Sequence, residues 1–203
     1  GCDALAISYG TMHGASKGKD VKLRKEIAIA IKECMMHEKI FGVLVSHGSS
    51  TVPRYIVDEI NALGGKIENA HGISIEELKA AIPCGIGKIN VDTDIRLAVT
   101  RNMKEYFHQN PQKRTSASIG GVYQLLEEKK EQFDPRAFLP PIMDTVMYGN
   151  IPDEDTAQLV QVIEKGVKEA IGTLIVEFGS YGKAPLVEQV SLEEMAERYR
   201  KAK

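Results

Sequence analysis

The sequence predicts an α/β chain that contributes to a TIM (β/α)8 barrel. Three observations carry this. The apolar runs at residues 4–7, 43–45 and 88–89 each close on polar chemistry: Gly-Thr-Met-His-Gly-Ala at 10–15, His-Gly-Ser-Ser at 47–50 and Asn-Val-Asp-Thr-Asp at 90–94. Segments of helical periodicity separate the runs, and strands alternating with helices imply a parallel sheet with crossover connections. Polar groups gathered at the C-terminal ends of different strands are the layout of a barrel active site. The set is part of a site, and the chain reads as part of a barrel.

The elements follow in order. Residues 3–9 form a short apolar strand, followed by a loop at 10–20 rich in Gly, Ser and Lys. Leu23, Ile27, Ile31 and Cys34 recur at helical spacing, which predicts an amphipathic helix over 22–38. A second strand spans 41–46. The helix near 54–63 has Pro53 for its first turn and Gly64-Gly65 for its end. Ser74 and Glu77 have capping-box spacing, and their helix ends near Pro83. The third strand spans 87–91. Ile95, Val99, Met103 and Phe107 mark one face of a helix starting near Asp94. Residues 113–121 read as a surface loop, 122–133 as a charged helix, and 138–148 as a helix with Pro140 and Pro141 near its start. Leu159, Val162, Ile163, Val167, Ala170 and Leu174 mark a long helix with Asp153, Glu154 and Asp155 at its positive end. Residues 191–203 are a charged terminal helix or tail.

With 203 residues and 43% hydrophobic composition, the chain can build one ordinary core. A formal net charge of −2 gives no electrostatic case for nucleic acid or an anionic membrane. No apolar run approaches the roughly 20 residues of a membrane span. The opening residues carry no charged leader pattern, so a signal peptide is not expected and the cytoplasm is. Cys2, Cys34 and Cys84 are scattered, which fits a reducing compartment and small packing residues. The chain begins with Gly and enters a strand at once, as a cleaved or incompletely given polypeptide would.

His13 and His47 each end a strand and precede Gly, so both can face one metal ion. A catalytic zinc takes three protein ligands, so two imidazoles make an incomplete site. Structural or substrate-contacting roles are the alternative. Gly14, Gly48, Ser49 and Ser50 offer unhindered N–H groups and hydroxyls, and Lys17 adds a charge, which is phosphate-cradle chemistry. Asn90, Asp92, Thr93 and Asp94 end the third strand. One of Thr93 and Asp94 is expected to cap the following helix, leaving Asn90 and Asp92 for substrate hydroxyls. Arg96 lies in the first turn and should point outward, toward a second phosphate or a neighbouring subunit. His37 and His108 read as exposed, His71 as a turn residue, and the charge run at 127–131 as a solvated face.

Together, the stretches at 8–15, 45–53, 64–66, 88–97, 133–136 and 178–180 resemble class II (zinc-dependent) fructose-1,6-bisphosphate aldolase. The resemblance runs with interruptions from Gly1 to about Ala184. It implies a TIM barrel of which this chain holds about the last three strands and the C-terminal helices. Residues 1–184 would be the C-terminal part of one barrel domain, and 185–203 a charged helix or tail. The implied enzyme is a lyase of glycolysis and gluconeogenesis. It cleaves fructose 1,6-bisphosphate reversibly to dihydroxyacetone phosphate and glyceraldehyde 3-phosphate through a zinc-stabilised enediolate. By resemblance His13 and His47 are zinc ligands. Gly14, Lys17, Gly48 and Ser50, with Ser49 beside them, match the 1-phosphate site. Asn90, Asp92 and Thr93 match positions that hold dihydroxyacetone phosphate, and Arg96 one that reaches the 6-phosphate. A Na+ or K+ ion near Gly14 and Gly48 and a homodimer or homotetramer are also implied.

The chain departs from the family pattern in several places. The Asp-His pair that supplies the catalytic aspartate and a further zinc ligand lies on an earlier strand, so no catalytic residue is assigned here. Met12 and Ser16 replace residues more often Ser and Tyr, and 112–132 and 148–168 read as expansions. Three strands cannot close a barrel. The expected partner is therefore the N-terminal part of the same barrel, without which the segment should be inactive. Two other readings share these motifs: a tagatose-1,6-bisphosphate aldolase, and a non-catalytic truncated module that binds phosphosugars.

Overall fold

The computed structural model describes residues 2–12 and 21–201. Its centre is a three-stranded parallel sheet in the order β1 (Ala4–Ala6), β2 (Val43–Ser46), β3 (Ile86–Ile89). Ala4, Leu5 and Ala6 pair with Val43, Leu44 and Val45. On the other side Leu44 pairs with Ile86 and Ser46 with Ile89, across an irregularity between Leu44 and Val45. The strands are shorter than the apolar runs predicted. β2 is buried over Leu44–Ser46, as the interior strand of the three, whereas all of β1 is exposed. Leu5 is half exposed and Phe41 almost fully so. β1 is the edge of the described sheet: no described strand pairs beyond it.

The connections β1–α1 (Lys25–His37)–β2 and β2–α2 (Arg54–Ala62)–α3 (Ile75–Ala81)–β3 are the predicted crossovers. α1 buries Ala28 and Met35 against Ile7, Tyr9, Leu44, Leu78 and Ile86. Cys34, placed on the apolar stripe by spacing, is exposed; Met35 carries the contact one position on. Cys2 is exposed too, so of the three cysteines Cys84 alone packs against this core. Ser74 caps α3, accepting the Glu77 N–H at 3.2 Å. The reciprocal half of the capping box is absent: Glu77 instead accepts the Leu23 N–H at 3.0 Å and the Lys25 ammonium at 2.8 Å, tying the start of α1 to α3.

After β3 the chain turns into α4 (Thr93–Gln109), buried on most of its circumference between α2, α5 (Gly120–Glu128) and α7 (Glu154–Glu177). The single stripe from Ile95 to Phe107 understates this, since Leu97, Ala98, Thr100 and Asn102 are also buried. The predicted surface loop at 113–121 holds a 3-10 turn at Pro111–Thr115 and sends Ile119 into the core beside Phe107, Phe138 and Leu159. Another 3-10 turn, Pro140–Ile142, leads into α6 (Met143–Tyr148). Asp153 caps α7 through the Thr156 N–H at 2.8 Å. α8 (Leu192–Lys201) lies in the charged tail, and its Tyr199 hydroxyl donates to Asp3 at 2.5 Å. No described helix is long and apolar enough to cross a membrane.

The α4–α7 contact depends on Gly166. A Cβ there would lie 2.9 Å from the backbone N and Cα of Val99. In a free helix Gly→Ala gains about 1 kcal/mol. Here the intruding carbon meets rigid backbone, and overpacking costs about 1–3 kcal/mol. Gly166→Ala should therefore lower the urea unfolding midpoint; a raised midpoint would show that the two helices separate freely.

Candidate functional site

The site lies where the chain leaves the C-terminal ends of β2 and β3. Ser46 and Ser49 are fully buried beneath it, linked by a 2.6 Å hydroxyl contact, and Tyr9 reaches the same Ser46 hydroxyl at 2.5 Å. Burial, partly offset by that Ser46 bond, pushes the Tyr9 phenol above its usual value. The pairing of β3 with β2 continues one residue past the strand, with the Asn90 N–H donating to the Ser46 carbonyl at 2.9 Å.

This stitching brings His47 and Asn90 together. The Asn90 Nδ2 lies 3.0 Å from His47 Nε2 and 3.4 Å from Nδ1. An amide nitrogen only donates, so the nearer ring nitrogen presents its lone pair. Asn90 Oδ1 accepts from Lys88. Gly48 follows in a left-handed conformation, φ +62°, and re-aims the chain toward α4.

Ser50 and Asp94 do work that the sequence did not assign to them. The Ser50 hydroxyl accepts the N–H groups of Thr93 at 3.0 Å and Asp92 at 3.3 Å. It caps α4 across 43 residues. Neither Thr93 nor Asp94 caps that helix, as spacing had suggested; Asp92 is the capping position and its side chain makes no cap bond. Asp94 is only 3% exposed and faces back toward the β2 loop. It accepts from Thr51 N–H at 3.0 Å, Thr51 Oγ1 at 2.7 Å and Val52 N–H at 2.8 Å. Val52 has φ +51°, an outlier conformation for a β-branched residue that persists only where its surroundings over-determine it.

Arg96 does not point freely outward. It lies bidentate on Asp92, at 2.8 and 2.7 Å, and also pairs with Asp134. Asp134 in turn accepts from Arg136 at 2.6 Å. The Arg136 guanidinium chiefly, then the Arg136 N–H and the Arg96 charge, hold the Asp134 carboxyl below its usual range. Sequence reading quoted Asp134 but gave it no role; its only signal was position.

Of the sequence-assigned site residues, His47, Gly48, Ser49, Ser50, Asn90, Asp92, Thr93 and Arg96 surround this strand end. His13, Gly14 and Lys17 lie outside the described residues. Among the described residues no group of three His, Cys, Asp or Glu side chains could hold a metal. His47 is the one assigned ligand there, so the described donors fit a zinc in part. What they form is a hydrogen-bonded frame around an imidazole lone pair, an amide and a guanidinium held by carboxylates.

Residues 1–183 match the family model described as Fructose-bisphosphate aldolase class-II. Curated relatives include fructose-bisphosphate aldolases of Giardia intestinalis, 35% identical, Xanthobacter flavus, 34%, and Nostoc sp., 33%. Each alignment covers 98% of this chain but 49, 45 and 44% of the relative. The chain thus spans about half the length of the curated relatives it matches.

Two expectations follow from the frame. Asp94→Ala leaves two backbone donors and a hydroxyl without their acceptor, and should cost about 2–5 kcal/mol of unfolding free energy by denaturant titration; a loss under about 1 kcal/mol would mean that solvent replaces it. Asp134, its folded pKa lowered, contributes stability above the ordinary carboxylate range near pH 4, and that contribution fades as pH falls through the lowered value. The stability gap between the protein and Asp134→Asn should hold steady from about pH 5 to 7 and close on further acidification; a gap unchanged down to about pH 2 would contradict this.

Proposed function

The chain belongs to the class-II fructose-bisphosphate aldolase family, and from that premise we propose that it supplies the metal- and phosphate-holding side of an aldolase site. The substrate is fructose 1,6-bisphosphate, split reversibly to dihydroxyacetone phosphate and glyceraldehyde 3-phosphate. The observation that carries the reading is the meeting of His47 and Asn90 from neighbouring strand ends, 3.0 Å apart. It supports the reading because an imidazole and an amide share one point: a metal ion taking the imidazole lone pair would release the Asn90 amide to a substrate hydroxyl.

His13 and His47 hold the zinc, with the remaining ligand and the catalytic aspartate coming from strands outside this chain. When bound, that zinc supplies Lewis-acid chemistry at the ketone oxygen. The chain's own residues bind and orient. Asn90 and Asp92 hydrogen-bond the three-carbon ketone half. Gly14, Lys17, Gly48 and Ser50 present N–H groups and charge to the 1-phosphate, with a monovalent cation beside Gly14 and Gly48. Thr93 stands at the N-terminus of α4, where an anion is favoured. Arg96 meets the 6-phosphate, and its pairing with Asp92 and Asp134 sets the guanidinium in place beforehand. The open sheet supports a partner that continues it, and the assembly is a cytoplasmic homodimer or homotetramer.

In the assembled enzyme His47→Ala should abolish turnover and lower bound zinc, measured by metal analysis of the same sample. Full zinc content in the variant would refute the ligand role. Arg96→Ala should raise KM for the bisphosphate about tenfold or more with a smaller change in kcat, the mark of lost substrate binding; an unchanged KM would remove Arg96 from the site.

A further inference from the structure

A second polar cavity lies far from the strand ends. It sits between α4, α5 and the 3-10 turn at Pro111–Thr115, and Lys104 within it is about 17 Å along α4 from Thr93 at the helical rise. Its volume is about 50 Å³, and Lys104, His108, Arg114, Tyr123 and Glu127 contribute its polar and aromatic lining. Lys104 is only 5% exposed. Its ammonium makes one long hydrogen bond, to the Leu126 carbonyl at 3.3 Å, and pairs with no carboxylate among the described residues. An ammonium carries three donors, so two remain unused in a buried setting. Burial pushes its pKa below that of an ordinary lysine, with Glu127 opposing the shift and Lys130 adding to it.

Arg114 is fixed by two contacts. Its Nε donates to the Phe107 carbonyl at 2.9 Å, and its guanidinium carbon lies 5.2 Å from the centroid of the Tyr123 ring. Both terminal nitrogens lack a protein acceptor among the described residues. His108 stands one turn beyond Lys104, exposed at the rim. The one carboxylate in the lining, Glu127, pairs with Lys130 at 3.4 Å. The cavity therefore presents two immobilised cations with spare donors against one carboxylate already shared.

We propose that this cavity binds a small tetrahedral oxyanion, a phosphate group, between the Lys104 ammonium and the Arg114 guanidinium. A cavity needs about 10–15 Å³ to admit one water, so 50 Å³ admits a group of several heavy atoms. The planar fork of an arginine matches two oxyanion oxygens, and a lysine supplies a point charge to a third. The group can be free phosphate or the end of a phosphomonoester.

The test is calorimetric titration of the full chain with inorganic phosphate and, separately, with glycerol 3-phosphate. Saturable phosphate binding is expected, weakened about tenfold or more in both Lys104→Met and Arg114→Gln. Equal binding of glycerol 3-phosphate assigns the site to phosphomonoesters as well, and its exclusion assigns it to free phosphate. Should Lys104→Met fail to fold, Arg114→Gln decides, because that side chain is half-exposed. Absence of saturable binding, or affinity unchanged in Arg114→Gln, overturns the proposal. The strand-end site contains neither residue, so phosphate binding that survives both substitutions belongs there and overturns the proposal for this cavity.

Discussion

The buried carboxylate of Asp94 is the constraint on which the strand-end site depends. It belongs to α4 but spends its oxygens on the β2 loop, at Thr51 and Val52. Ser50 answers in the other direction, capping α4 from that loop. Two segments more than forty residues apart are thereby clasped by five hydrogen bonds. A buried carboxylate is tolerated only when it is fully hydrogen-bonded, and the arrangement meets that condition with donors that would otherwise be orphaned at a helix start and a tight loop. His47 and Asn90 lie just upstream of the two clasped segments. Their separation is thus set by backbone geometry rather than by side-chain chance.

Electrostatics around Arg96 follow the same logic. A guanidinium between Asp92 and Asp134 is oriented before any ligand arrives, and Arg136 partly neutralises Asp134. An incoming phosphate would compete with two carboxylates for one cation. The competition costs affinity, but it spares the entropy of ordering a long side chain, the usual loss when a free arginine binds. Asp92 is largely exposed and Asp134 is not. Of the two, the Asp92 pair is the more screened and the more readily exchanged for an anion.

Much of the fold was legible in the sequence, and the parts that were not share a cause. Strand positions and the long α7 followed from period and composition, because those signals are local. The Ser74 cap was legible for the same reason, but its partner Glu77 was not: a lysine and a backbone N–H from another element outbid the local bond. The wide burial of α4 was hidden because charged Asp94 and Lys104 sit among its buried positions and break the stripe. In the site, the residue types at 47–50 and 90–96 were legible, and their roles only in part. Ser50, read for its phosphate chemistry, also caps a helix; Asp94, one of two candidate caps, buttresses a loop; Arg96, expected to point outward, is paired. In each case a partner some forty residues away, Thr93 for Ser50, Val52 for Asp94 and Asp134 for Arg96, went unseen, because no periodicity encodes it.

The sheet itself shows why the frame lies on one side. β2, the middle strand, is buried beneath its loop, while β1 leaves Leu5 half exposed. The hydrogen bonds described above for Asn90 and Asp94 lie between β2, its following loop, β3 and α4, while Tyr9, just after β1, reaches the frame from beneath at Ser46. The clasp between the β2 loop and α4 is thus built from groups on the β2–β3 side of the sheet. Groups brought by an added strand would meet a surface already set, which is how a site assembled from several strand ends keeps its precision: the strands supply chemistry independently, and the tertiary clasp between loop and helix fixes where it is delivered.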